Sequence, residues 1–163
     1  MTDTTMTQGY TLDAGMGEAL WAMGERLVLK ATGVLTGGAF TIFEDLVAAG
    51  GEPPPHFHER EDEAYYILEG ALEVTIGGQT YQAGPGAFVF LPRLVPHHWR
   101  VTSAEPVRML VFFTPPGVEG FFQALSRPAE APTPPPPDVP DLPKIIQTAG
   151  EYGIRLAGPP PSA

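Results

Sequence analysis

Cysteine is absent from this 163-residue chain, so no disulfide can form and thiol usage carries no information about the redox compartment. Basic residues are scarce as well. The nine Lys and Arg are scattered, and the formal net charge is −10. A nucleic acid or an anionic membrane surface is therefore not an expected partner. Serine occurs only at Ser103, Ser126 and Ser162, none in a triad setting. Gly15-x-Gly17 and Gly84-x-Gly86 lack the strand–turn–helix context of a dinucleotide fingerprint, and no phosphate loop or helix-turn-helix is present. No apolar run reaches the length needed to cross a bilayer. Met1–Gln8 is polar and does not read as a signal peptide. A cytoplasmic location is the expectation.

What is present is a globular composition, with 43% hydrophobic and 17% charged residues, long enough for one domain with one core. No internal repeat is seen. Residues 1–25 are weakly patterned and read as an N-terminal arm. From Arg26 the period is near two, and short runs rich in Val, Ile, Phe, Tyr and Thr read as strands. These are Arg26–Ala31, Ala39–Asp45, Ala64–Leu68, Ala71–Ile76, Gln79–Gln82, Ala87–Leu91, His97–Thr102 and Val107–Thr114. Glycine-rich turns separate them, and Gly77-Gly78 suits a two-residue hairpin. Many short, evenly spaced strands imply a sandwich or barrel over 26–126. Val118–Ser126 closes that region as a short helix.

Proline dominates 127–140, which reads as a stiff, extended connector whose simplest role is that of a spacer. The segment 141–163 reads as a helix and tail. Asp141 is placed to cap the helix, Pro143 suits its first turn, and Gly153 is placed to end it. Ile145, Ile146, Ala149 and Tyr152 form its apolar stripe, and Gly158–Ala163 is expected to fray.

The chemistry concentrates in Gly50-x5-His56-x-His58-x4-Glu63-x6-Gly70, followed by Gly86-x5-Pro92-x4-His97. His56 and His58 share one face of a strand because side chains alternate. A turn through the polar run Glu59–Asp62 can bring Glu63 to the same centre, and His97 needs a fold that returns the chain. Three imidazoles and a carboxylate form a ligand set for one divalent transition metal, with Mn, Fe, Co, Ni, Cu and Zn all acceptable. Three neutral His and one Glu leave about one net positive charge on a divalent ion, and so a Lewis acid. The neighbours Glu59, Glu61 and Asp62 read as a solvated acidic rim, with Arg60 paired to it. His98 points away from His97.

These two segments resemble the motifs of the cupin superfamily. Residues 50–70 match the first motif, G-x5-H-x-H-x3–4-E-x6-G, at every defined position. In the second, G-x5-P-x-G-x2-H-x3-N, Gly86, Pro92 and His97 match, while Leu94 replaces the glycine and Val101 the asparagine. The stretch 71–85 between them is short, as in small bacterial single-domain cupins. The resemblance covers about residues 30–115. It implies an all-β jelly-roll barrel with short C-terminal helices, a metal near the wider mouth, and His56, His58, Glu63 and His97 as ligands. The C-terminal part looks like that of bacterial cupins labelled quercetin 2,3-dioxygenase-like.

By strand parity Tyr65 faces inward with Glu63, and Trp99 with His97. Met109, Val111 and Phe113 share one face of the last long strand, and these five residues are expected to line a substrate pocket. Leu110 and Phe112 occupy the opposite face, which suggests a cover, such as a second subunit in a homodimer. The leading expectation is a metal-dependent dioxygenase acting on an aromatic or enolic small molecule, with Glu63 as ligand and proton acceptor. The alternatives are an isomerase, lyase or decarboxylase using the same metal, and a small-molecule-binding module without turnover.

Overall fold

The computed structural model describes residues 8–158. The expected frayed tail beyond Gly158, and the segment Met1–Thr7, lie outside the described residues. Strands follow in chain order as β1 Glu18–Ala22, β2 Glu25–Ala31, β3 Thr41–Val47, β4 His56–His58, β5 Asp62–Glu69 and β6 Leu72–Ile76. They continue as β7 Gln79–Ala83, β8 Phe88–Leu91, β9 His97–Val101 and β10 Val107–Thr114. After helix α1, Glu119–Ala124, come β11 Arg127–Pro128, helix α2 Leu142–Glu151 and β12 Ile154–Leu156.

Two antiparallel sheets result, one in the order β11-β1-β2-β3-β10-β5-β8, the other β12-β4-β9-β6-β7. This is a jelly-roll arrangement, with the inner faces of both sheets forming the core. The period-two pattern has its physical basis here. β3 and β10 alternate buried with half-buried side chains along most of their length. Leu27, Phe43, Ile67, Leu72, Val74, Met109 and Phe113 are almost fully buried between the sheets, and burying such side chains is worth about 1.5–3 kcal/mol each. On the outside, Leu110 and Phe112 are half-buried, whereas Tyr66, Phe88 and Phe90 are exposed.

The turn chemistry follows the sequence. Gly77 and Gly78 both have positive φ, 56° and 86°, and join β6 to β7 in register, with Ile76 opposite Gln79. Leu94, in the glycine position of the second motif, keeps the left-handed backbone at φ 66°. The turn before β9 is therefore retained without its glycine, and the Leu94 N–H donates to the His58 carbonyl at 2.8 Å.

Two stretches differ from expectation. Glu18–Ala22, placed by the sequence in an arm, is strand β1, paired along its whole length with β2. Its apolar Leu20, Trp21 and Ala22 are buried, a run too short for periodicity to register. The proline-rich segment is also more than a spacer. Arg127–Pro128 pairs with β1, Trp21 Nε1 donates to the Thr133 carbonyl at 2.8 Å, and Arg26 Nε donates to the Ala131 carbonyl at 3.2 Å. The Arg127 guanidinium lies 4.7 Å above the Trp21 ring.

At the start of α2 the Asp141 side chain accepts from the Lys144 N–H at 3.1 Å, as its capping position predicts. Ile146 is exposed, while Thr148 and Ala149 are buried, so the packed stripe is rotated from the expected one. Gly153, at φ 75°, reverses the chain into β12. There β12 pairs with β4, Ile154 standing opposite His58 and Leu156 opposite His56.

Candidate metal centre

β4 is three residues long, yet it carries two of the candidate ligands on one face. Across the ladder His56 stands opposite His97 of β9. Glu63 arrives from the other sheet, on β5, where it lies opposite Phe113. One ligand atom from each of His56, His58, Glu63 and His97 falls within 4.8 Å of the others, a cluster that could hold a metal ion. Glu63 Oε2 is 3.1 Å from His97 Nε2 and 3.4 Å from His58 Nε2. Glu63, His58 and His97 are buried, and His56 is half-buried.

The outer nitrogens of the rings are held by the backbone. His56 Nδ1 lies 2.8 Å from the Pro54 carbonyl, and His97 Nδ1 lies 3.1 Å from the Val95 carbonyl. With protons on Nδ1, both rings present a bare Nε2 to the centre, the tautomer that a metal ligand requires. His97 Nε2 and Glu63 Oε2 are buried without a hydrogen-bond partner. Orphaned buried acceptors are costly, and a cation between them would remove the cost. The donor set and its unmet valences therefore fit a divalent transition metal.

Charge in the centre is sorted unevenly. Burial, reinforced by the neighbouring His97, holds His56 down to about 4. At His58 burial opposes the cation, but the carboxylates of Glu61 and Glu63 outweigh it and hold this ring up to about 9. Burial likewise works against the Glu63 anion, and His58 and His97 outweigh it, keeping this carboxyl well below its usual range.

Glu61 corrects the expectation of a solvated acidic rim. It is 3% exposed, and its Oε2 lies 3.6 Å from His58 Nδ1. It thus occupies the position of an orienting partner behind a ligand. The other two carboxylates do face outward. Asp62 makes a two-point contact with Arg93, and Glu59 pairs with Arg155, 3.0 Å away, rather than with Arg60. His98 is half-buried and outside the cluster.

A cavity of about 770 Å³ opens on the cluster. Tyr65, Trp99, Met109, Val111 and Phe113 all line it, as strand parity predicts. Burial, and then the nearby Glu63 carboxylate, keep the Tyr65 phenol well above its ordinary value, so it stays protonated. Sequence reasoning missed several further walls. Phe43, Phe121 and Phe122 line the cavity, as do Pro135–Pro140 and Ile145 from the C-terminal segment. It also missed Glu25 and Asp45. The signal was there, since Asp45 has the parity of Phe43 and Val47 on the inward face.

Residues 43–113, which carry both motifs and all four candidate ligands, match the family described as Cupin domain. The chain belongs to the cupin superfamily. Among relatives, this cupin is 30% identical over 121 residues to "Quercetin 2,3-dioxygenase" of Bacillus subtilis (strain 168), covering 74% of the chain and 36% of that protein. It is also 30% identical over 93 residues to "L-ectoine synthase" of Bordetella petrii, covering 56% of the chain and 65% of the synthase. The cupin thus spans less than two thirds of the length of these relatives. In fold it superposes with a TM-score of 0.57 on an RmlC-like cupin from Shewanella frigidimarina, at 18% identity, covering 71% of this chain and 99% of that one.

Proposed function

We propose that His56, His58, Glu63 and His97 hold one divalent transition metal, and that this cupin is a metal-dependent dioxygenase acting on an aromatic or enolic small molecule. The observation that carries the reading is the set of bare, buried acceptors, His97 Nε2 and Glu63 Oε2, turned toward one centre under an apolar cavity. The Bacillus subtilis relative named quercetin 2,3-dioxygenase supports the reaction class. A bound ion of this kind supplies a Lewis acid and, when redox-active, a site for oxygen chemistry.

The chain's own groups have distinct roles. The Pro54 and Val95 carbonyls fix the tautomers of His56 and His97, and Glu61 stands 3.6 Å behind His58 as its charge partner. Glu63 is the carboxylate positioned to take a proton from a substrate hydroxyl. Tyr65, Trp99, Met109, Val111 and Phe113 offer a flat, apolar wall that orients an aromatic substrate and excludes water.

A second reading, non-oxidative carbonyl chemistry by an isomerase, lyase or decarboxylase, is favoured by the likeness to a protein named as a synthase. Elemental analysis of the purified cupin, coupled to oxygen uptake on a panel of flavonols and diketones, separates the two. About one metal per chain with substrate-dependent oxygen consumption supports the dioxygenase. Turnover of a panel member at an unchanged rate without oxygen moves the assignment to the second reading.

A further inference from the structure

The cavity has a second polar pole that the metal cluster does not use. Asp45 is 2% exposed, and its Oδ1 is buried with no hydrogen-bond partner. In the ladder it lies between Leu27 of β2 and Met109 of β10, on the inward face of the larger sheet. Glu25 sits two residues before Leu27, on the same face and half-buried. It is thus a diagonal cross-strand neighbour of Asp45, within reach of one ligand group. Both residues line the cavity together with His56, His58 and Glu63.

Neither carboxyl belongs to an ion pair among the described residues. Asp45 senses Glu25, Glu63 and, in the opposite direction, the Leu46 backbone N–H, and Glu25 senses Glu63. Burial first, and then these like charges, push Asp45 well above the ordinary carboxyl range, and burial and Glu63 push Glu25 up to about 8. Two acids packed without a cation in an apolar wall are a standing cost to the fold. Such an arrangement is explained by a partner that arrives from outside.

Charge decides what that partner is. Around the cavity mouth Glu52, Asp138 and Asp141 stand against Arg127 and Lys144, so the lining as a whole carries more acid than base. A hydroxyl ligand would gain only neutral hydrogen bonds from Asp45 and Glu25. A protonated nitrogen would favour the ionised carboxylates and gain charge-assisted bonds from them, roughly twice as strong. Phe43, Trp99 and Met109 flank the same space and suit an apolar body between the two poles.

We propose that Asp45 and Glu25 form a binding site for a cationic nitrogen, and that the substrate of this cupin carries an ammonium or related N–H cation. This rests on the cavity being the substrate site and is independent of whether the reaction consumes oxygen.

The test compares two probes of similar size and shape, 2-phenylethylammonium and 2-phenylethanol. Binding is measured at pH 8 by calorimetry or ligand-detected NMR, on the full chain both metal-replete and after chelator treatment. The ammonium is expected to bind at least tenfold more tightly than the alcohol. That preference should fall to below about twofold in Asp45→Asn and in Glu25→Gln, and should survive in His58→Ala. Both acid variants keep side-chain volume and leave a neutral amide where the buried acid stood, and their circular dichroism and metal content should equal those of the parent. Equal affinity for the two probes overturns the proposal, as does a preference that persists in both acid variants. Displacement of the ammonium by Mg²⁺ in the parent but not in Asp45→Asn also overturns it, by showing a second metal site instead. Failure of the metal reading shows separately, as absence of metal from the parent.

Discussion

His56 on β4 stands directly opposite His97 on β9, with ring centroids 4.6 Å apart and planes at 65°. Two of the four candidate ligands are therefore set by a single rung of one sheet, while Glu63 reaches them from the other sheet. The β core exists without these contacts, because most of its burial lies along β2, β3, β5, β6 and β10. His58→Ala and His97→Ala should each lose metal while remaining folded. Elemental analysis and circular dichroism check both halves of that expectation, and metal content surviving in both variants would show the site to be elsewhere.

Glu61 should matter although it touches no metal. Glu61→Gln keeps the size of the side chain and removes the charge behind His58 Nδ1. Metal affinity should fall roughly 10–100-fold, the range for orienting partners of metal-bound histidine. Competition with a fluorescent chelator measures it.

Metal uptake should be coupled to proton release. In the metal-free protein His58 is held up to about 9, so near pH 7 this ring carries a proton that must leave before its nitrogen can ligate. His56, held down to about 4, is already neutral there. The direction follows directly: as pH falls below about 9 the proton competes more strongly, and affinity through His58 weakens by about tenfold per pH unit. Calorimetry in two buffers of different ionisation enthalpy counts the protons released.

Leu94 is a site where the fold can be improved. Its φ of 66° is unfavourable for a residue with a β-carbon, by about 1–2 kcal/mol, and the side chain is 62% exposed, so little burial is at stake. Leu94→Gly removes the strain at some cost in chain entropy. A net gain of up to about 1 kcal/mol is expected, read as a higher midpoint in urea.

The proline-rich segment should come loose when Trp21 loses its indole N–H. Trp21→Phe keeps a ring in a buried position and breaks the bond to the Thr133 carbonyl. A loss of about 1 kcal/mol is expected, together with faster proteolysis within 127–140, seen by mass spectrometry of the fragments.

Much of this architecture was legible because its signals are local. The strand Val107–Thr114 agrees with the sequence reading at both ends, since alternation over eight residues is unambiguous. The ligand set was legible because His-x-His can place two imidazoles on one face only if the segment is extended. What escaped depended on distant partners. Arg127–Pro128 and Ile154–Leu156 are strands only because β1 and β4 offer free edges to them, and no periodicity exists in two or three residues. Glu61 read as surface because it sits in a run of charged residues, and only the return of His58 beside it reveals the burial. Asp45 escaped because it stands beside Glu44, and adjacent acids read as polar strand surface until the pairing of β3 with β2 and β10 shows which of the two faces inward.

The pairing of β4 with β12 sets an order of events. The strand bearing His56 and His58 is bound on one side by a single rung to β9 and on the other by residues 154–156. During synthesis the histidines leave the ribosome about a hundred residues ahead of the strand that borders them, as their positions in the chain require. The border of the candidate centre is therefore completed only after residue 156 has been made, although all four candidate ligands precede residue 98.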